Sequence, residues 1–328
     1  MEPILHRAAG HHGTTRGRLR NSEYAHPVNG VSISLADAKD LVTVCTAVAL
    51  ALPPDAVFTH LTAARLRGWW LPRIDDEPVI ACTDGEAPHH DRRGVYIRRC
   101  DLPDRHRERL HGLQVASPEW TIVELAEHLR LVDLVVAIDC ALHLGDTTLP
   151  AIRDTMRAGR RGVRVLRRAL LLADSRSQSP WETVLRLLHV FAGIAVEPQH
   201  ELRSEVGEVI WSLDLLISDT RRAAEFDGGV HRDAEVHLRD MRRDRLLAQH
   251  GIERFAYGAR DVLEAPGQIV RDAEDALRLP HDARRLGRWQ TEFRLSTFSP
   301  SGYGALLHRI DRFARPTSPR SRRSSGAK

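Results

Sequence analysis

The chain has 328 residues, longer than one ordinary domain, and 42% of them are hydrophobic, enough to fill a core. Its net charge of +4 is uneven: residues 281–328 hold eleven Arg/Lys against three Asp/Glu, or +8, which leaves about −4 for the rest. It contains no run of eighteen apolar residues and no Cys-x-x-Cys pair among its four cysteines. These features exclude a membrane-spanning helix, a disulfide framework and a cysteine zinc site, and they point to a reducing cytoplasm.

Residues 1–30 are rich in Gly, His, Arg and Asn without apolar periodicity, so disorder is expected there. Ser34 is placed to cap a helix from Leu35 to about Ala51, ended by Pro53-Pro54. A short strand, Ala56 to Phe58, precedes a second helix from Thr59 to about Arg67, closed by Gly68. Val79 to Cys82 and Val95 to Arg98 read as strands around a polar turn. Ser117-Pro118 sets a cap before proline at the first helical position, and further helices are expected at about 131–144, 148–158 and 163–173. The polar stretch 174–178 is the expected domain boundary.

Beyond it, Ser179-Pro180-Trp181-Glu182 opens a helix to about Phe191, stopped by Gly193. Strands are expected at Val196 to Leu202, Val209 to Leu216, Arg222 to Phe226 and Ile252 to Phe255. A helix from Ala234 to His250, stopped by Gly251, precedes the last strand, and another covers about Pro266 to Leu277. The order α-β-β-β-α-β implies an α/β domain with a mixed sheet.

Asp214 is a lone carboxylate in an apolar strand, and burying it unpaired costs several kcal/mol. Glu225 and Asp227, at i and i+2, share one face of the next strand, and an even turn would set Glu225 across from Asp214. Oxygen donors gathered in this way suit Mg²⁺ or Mn²⁺. His231 follows the pair Gly228-Gly229, and Asp240, Arg243 and Leu247 fall on one face of the following helix. Glu182 as a capping-box acid, and Asp240 with Arg243 as an ion pair, need no catalytic role.

The series Ser-Pro-x-Glu-Thr (179–183), Leu-Asp-Leu (213–215), Glu-Phe-Asp-Gly-x-x-His (225–231) and Asp-x-x-Arg-x-x-x-Leu-x-x-x-Gly (240–251) resembles the very-short-patch-repair-like branch of the PD-(D/E)XK nucleases. The resemblance implies metal ligands at Asp214 and Glu225, with Asp227 completing the acidic site and Glu182 as the first-helix acid. Asp227 stands where many of these nucleases carry a lysine, and the only lysines here are Lys39 and Lys328. His231 is then the candidate general base, and Arg243 the candidate stabiliser of phosphorane charge. Upstream, Phe58 to Gly68 and Ser117 to Ala126 resemble AbiEi-type antitoxin regulators, which implies a winged helix with DNA contacts at Thr59, His60, Arg65 and Arg67.

The expected organisation is 1–30 disordered, 31–105 winged-helix-like, 106–173 helical, 174–280 endonuclease-like and 281–328 a basic, mostly disordered tail. The expected activity is Mg²⁺- or Mn²⁺-dependent cleavage of DNA, with a catalytically inactive DNA-binding regulator of antitoxin type as the alternative. DNA is the expected partner and a membrane is not. A homodimer and a toxin or other protein partner remain open at this point.

Overall fold

The computed structural model describes residues 2–84, 94–228 and 243–314. Contacts divide the chain into one unit of Met1–Leu66, Ile74–Ala116 and Leu306–Lys328, and another of Arg67–Arg73 and Ser117–Ala305.

In the first unit, β1 (Ile4–Leu5), β2 (Tyr24–Val28) and β3 (Val31–Ser34) form a sheet in the order β1-β3-β2. The stretch expected to be disordered therefore contributes strands, and Ile4, Ala9 and Leu19 bury together against Tyr24. These apolar residues are too sparse to show a period. Helix α1 (Leu41–Ala49) starts later than expected, because Asp40 rather than Ser34 accepts the Thr43 N–H, at 2.9 Å. Ser34 and Asp37 instead bond to each other in the preceding turn.

Next come β4 (Val57–Phe58), α2 (His60–Leu66), β5 (Val79–Thr83), β6 (Val95–Arg99), β7 (Arg107–Leu110) and β8 (Leu113–Ala116), giving a second sheet β6-β5-β4-β8-β7. Strands β5 and β6 were expected to flank a simple turn. They pair in parallel, Val79 beside Val95, which a tight hairpin turn cannot join. Val28, Ile33, Val48, Phe58, Val79 and Val115 lie in the core shared by the two sheets and α1.

The second unit begins with a mostly helical region: α3 (Pro118–Leu125), α4 (Leu131–His143), α5 (Leu149–Thr155) and α6 (Val163–Leu170). Ser117 caps α3 by accepting the Trp120 N–H. Every residue of α4 from Leu131 to Ala141 is buried, and α4 packs against α6 and α7 (Pro180–Phe191). A carboxylate on so buried a helix needs partners. Asp139 has three: the Arg186 guanidinium at 2.7 Å, the Thr183 hydroxyl at 2.9 Å and the Asp174 N–H at 2.8 Å. The unit boundary accordingly falls at Ala116/Ser117, not at the expected 174–178, where Ser177 is buried.

The remaining strands are β9 (Val196–Arg203), β10 (Val209–Ile217), β11 (Arg222–Phe226) and β12 (Glu253–Tyr257), with α8 (243–249) before β12. The α-β-β-β-α-β order expected from sequence is the order found. The sheet runs β12-β11-β10-β9, with β11 and β12 parallel and the other pairs antiparallel. Both glycine stops work as expected. At Gly193 (φ 74°) the Ile194 N–H reaches the His189 carbonyl at 2.9 Å, and at Gly251 (φ 68°) the Ile252 N–H reaches Leu247 at 2.9 Å.

Helices α9 (Ala259–Glu264), α10 (Pro266–Ala276), α11 (Leu286–Leu295) and α12 (Pro300–Ala314) complete the described chain. The expectation of a disordered tail from residue 281 is thus corrected as far as Ala314. Trp289 is only 1% exposed and stacks on Phe293 at 4.6 Å, and this spacing of large apolar residues outweighs the arginine content that suggested disorder. Residues 315–328 lie outside the described residues.

Candidate functional site

The site is built on the middle of the C-terminal sheet. Leu215 pairs with Ala224 and Leu216 with Ala223, so one further step sets Asp214 opposite Glu225. On the other side, His200 pairs with Leu213 and Pro198 with Leu215, which sets Gln199 beside Asp214. A single row across the sheet thus reads Gln199, Asp214, Glu225.

Ser179 caps α7 through the Glu182 N–H at 3.2 Å, and this fixes Glu182 in the first turn, at the edge of that row. Its carboxylate accepts the Gln178 N–H at 2.8 Å and the Gln199 side-chain amide at 3.0 Å. The Gln199 carbonyl oxygen in turn accepts from the Ser212 hydroxyl at 2.8 Å. Gln199 adopts φ 49°, a left-handed backbone that costs a non-glycine residue of order 1 kcal/mol and is held here by these side-chain bonds.

Asp214 accepts the Phe226 N–H at 2.9 Å. Burial pushes its carboxyl up to about 6, and the nearby Glu182 and Glu225 push the same way, while the Phe226 N–H and Arg243 oppose them. Glu225 is 4% exposed and has cations of its own: Arg254 Nε at 2.5 Å and an Arg243 nitrogen at 3.5 Å. Arg254 also reaches Asp244, and the Arg243 guanidinium lies over the Trp211 ring. Among the described residues the carboxylates of Glu182, Asp214 and Glu225 are not drawn mutually within 4.8 Å. All their donors are oxygens, the kind a hard divalent cation takes.

The structure thus brings together Glu182, Asp214, Glu225 and Arg243. Asp227 is exposed at the strand end, where its N–H donates to the Tyr257 carbonyl at 2.9 Å. His231 and Asp240 lie outside the described residues. Gln199 and Arg254 were not anticipated. No local pattern marks Gln199, because a left-handed glutamine shows only in three dimensions, and Arg254 sits in a strand read solely for its apolar neighbours.

The expected DNA contacts in the first unit are placed differently. Thr59 and His60 are fully buried, with the His60 ring bonded to the Thr59 hydroxyl at 2.9 Å and to Arg98 at 3.0 Å. Arg65 pairs with Glu77 at 3.1 Å, and Arg67 lies just past α2, half-buried. The small residues Thr62, Ala63 and Ala64 let α2 bury against β5, where Thr62 Oγ1 accepts the Ile80 N–H at 2.8 Å. Thr59 and His60 are therefore not presented to a nucleic acid.

Fold and site together define a two-unit α/β protein whose C-terminal mixed sheet carries two neighbouring acids, Asp214 and Glu225, with Arg243 and Arg254 paired to Glu225. The model of the AbiEi antitoxin C-terminal domain matches residues 4–175, just over half of the chain, and the chain belongs to that family. The match stops short of the acidic row. Two curated relatives from Mycobacterium tuberculosis, the uncharacterized proteins MT2308 and Rv2248, are each 30% identical over 167 residues, 50% of this chain and 61% of theirs. The chain thus spans about three fifths of the relatives' length. No solved structure matches it. No described helix is long and apolar enough to cross a membrane.

Proposed function

We propose that the chain is a DNA-binding regulator of antitoxin type whose C-terminal sheet does not cut DNA. The observation that carries this reading is the state of Glu225. A metal ligand must offer its charge to the ion, whereas Glu225 is buried and its charge is already met by Arg254 at 2.5 Å and Arg243 at 3.5 Å. Membership of an antitoxin family supports the regulator role, and a toxin partner belongs to the same proposal. The test is to mix the full-length chain with supercoiled plasmid and Mg²⁺ or Mn²⁺. Retarded but uncut plasmid is expected, and nicked or linear product would sink the reading.

A second reading, a metal-dependent endonuclease of the very-short-patch-repair-like kind, is favoured by Asp214. This acid is raised to about 6 and sits beside two other carboxylates, the situation a divalent cation relieves. Asp214 and Glu225 would then hold Mg²⁺, with Asp227 nearby, and the ion would supply a Lewis acid and an activated water. Arg254 would have to release Glu225, and Arg243 would remain to meet phosphoryl charge. His231 would serve as general base, in the absence of a nearby lysine.

A further inference from the structure

We infer that the exposed arginine face leading into and along α6 is a binding surface for the phosphate backbone of duplex DNA. This deepens the proposed regulator function by naming a surface, and it rests on that reading. Helix α6 is sharply two-sided. Leu166, Ala169 and Leu170 are buried, while Arg164, Arg167 and Arg168 project from the opposite side, within an arc of roughly 100° at 3.6 residues per turn. Arg157 and Arg161 are exposed just before the helix.

Their neighbours show that this exposure is not for want of acids. Arg160 turns inward over the Trp120 ring at 4.5 Å and pairs with Glu124 at 3.7 Å and Glu127 at 3.6 Å. Arg168 pairs with Glu292. Arg157, Arg161, Arg164 and Arg167 have no acidic partner among the described residues. Four exposed guanidinium groups without acidic partners in so short a stretch repel one another. A polyanion reverses that sign.

The face is also held in place. Gly162 has φ 82°, and a Cβ there would stand 2.2 Å from the Ala126 carbonyl oxygen. The start of α6 is thus pressed against the end of α3, and with Arg160 anchored the arginines are presented on a fixed support. With the backbone already fixed, binding has only the arginine side chains left to order. Among the described residues 157–171 the one large exposed apolar side chain is Leu171, too little for the apolar centre of a protein interface. Forked guanidinium donors on an apolar-poor face fit phosphate oxygens.

The test measures binding of full-length protein to a fluorescent 20-base-pair duplex (about two helical turns) by anisotropy over a range of salt concentrations. Arg161→Gln, Arg164→Gln and Arg167→Gln are combined. The exposed helix should tolerate the change, checked by an unaltered thermal melt. The slope of log K against log salt should fall by about 2.7, at roughly 0.9 for each phosphate no longer neutralised. An equal-charge control, Arg7→Gln with Arg18→Gln and Arg20→Gln, should keep the parent slope. An unchanged slope in the α6 variant, an equal fall in the control, or parent binding to polyglutamate as tight as to DNA would overturn the inference. A parent that binds no duplex at low salt would overturn the proposed function and this surface with it, whereas binding with an unchanged slope removes the surface alone.

Discussion

Asp214→Asn should stabilise the protein at neutral pH. The carboxyl titrates near 6 in the fold, against an ordinary 3.8. That difference of roughly two pH units, at about 1.36 kcal/mol each, makes the ionised form costly by up to about 3 kcal/mol. Because Asp214 is only half-buried, about 1–3 kcal/mol is the expected range. The sign follows from proton binding. Between about pH 4 and 6 the folded chain holds a proton here that the unfolded chain has lost, so the parent loses stability as pH rises through that window. Asparagine does not titrate, and its carbonyl oxygen can still accept the Phe226 N–H. Equilibrium urea unfolding of parent and variant at pH 4 and pH 7.5 isolates the effect. The gain should be near zero at the lower pH and full at the higher. A variant no more stable than the parent at pH 7.5, or an equal gain at both pH values, would refute the argument. Under the nuclease reading alone, Mn²⁺ would stabilise the parent and close the gap.

Arg186→Met should cost about 3–5 kcal/mol by leaving Asp139 buried without its cation, and adding Asp139→Asn should recover part of the loss. Equal stability of the single variant and the parent in urea would show the pair to be idle. Gly162→Ala combines a left-handed backbone with an approach of 2.2 Å to the Ala126 carbonyl, so a loss of at least about 2 kcal/mol is expected. Chemical unfolding indistinguishable from the parent would contradict the close approach of α6 to α3. Trp289→Ala should cost about 3–5 kcal/mol, read as an earlier thermal melt, because the ring is buried between Phe293 and Phe191. A melt unshifted by this change would restore the disordered-tail expectation.

The C-terminal domain is the most legible part of the sequence, because its signals are local. Ser179-Pro180, Gly193 and Gly251 punctuate the helices, and the apolar run around Asp214 marks a central strand. The strand pairing that sets Asp214 against Glu225 follows from alternation and turn length. What the sequence hides depends on distant residues. The arginines on Glu225 come from α8 and β12, and nothing near Glu225 in the chain announces them. The parallel pairing of β5 with β6 and the burial of Thr59 and His60 are also invisible, since adjacency along the chain suggests a hairpin and an exposed helix. The arginine spacing before and along α6 is present in the sequence. It does not stand out there, because arginine is the default cation of this chain and only burial separates the paired from the bare.

Asp139 has a consequence for how such a chain can be inherited. The family-matched stretch ends at residue 175 and α7 begins at Pro180, so the junction resembles a seam between interchangeable cassettes. Yet Asp139 lies upstream of that seam, and Arg186 and Thr183 lie downstream of it. Either half transplanted alone would carry a stranded interior charge, an anion in one and a cation in the other. Recombination at the seam keeps that interior charge paired only if the incoming segment brings its match, a cation when it lies downstream or an anion when it lies upstream. The smallest portable unit of this protein is therefore longer than the family match.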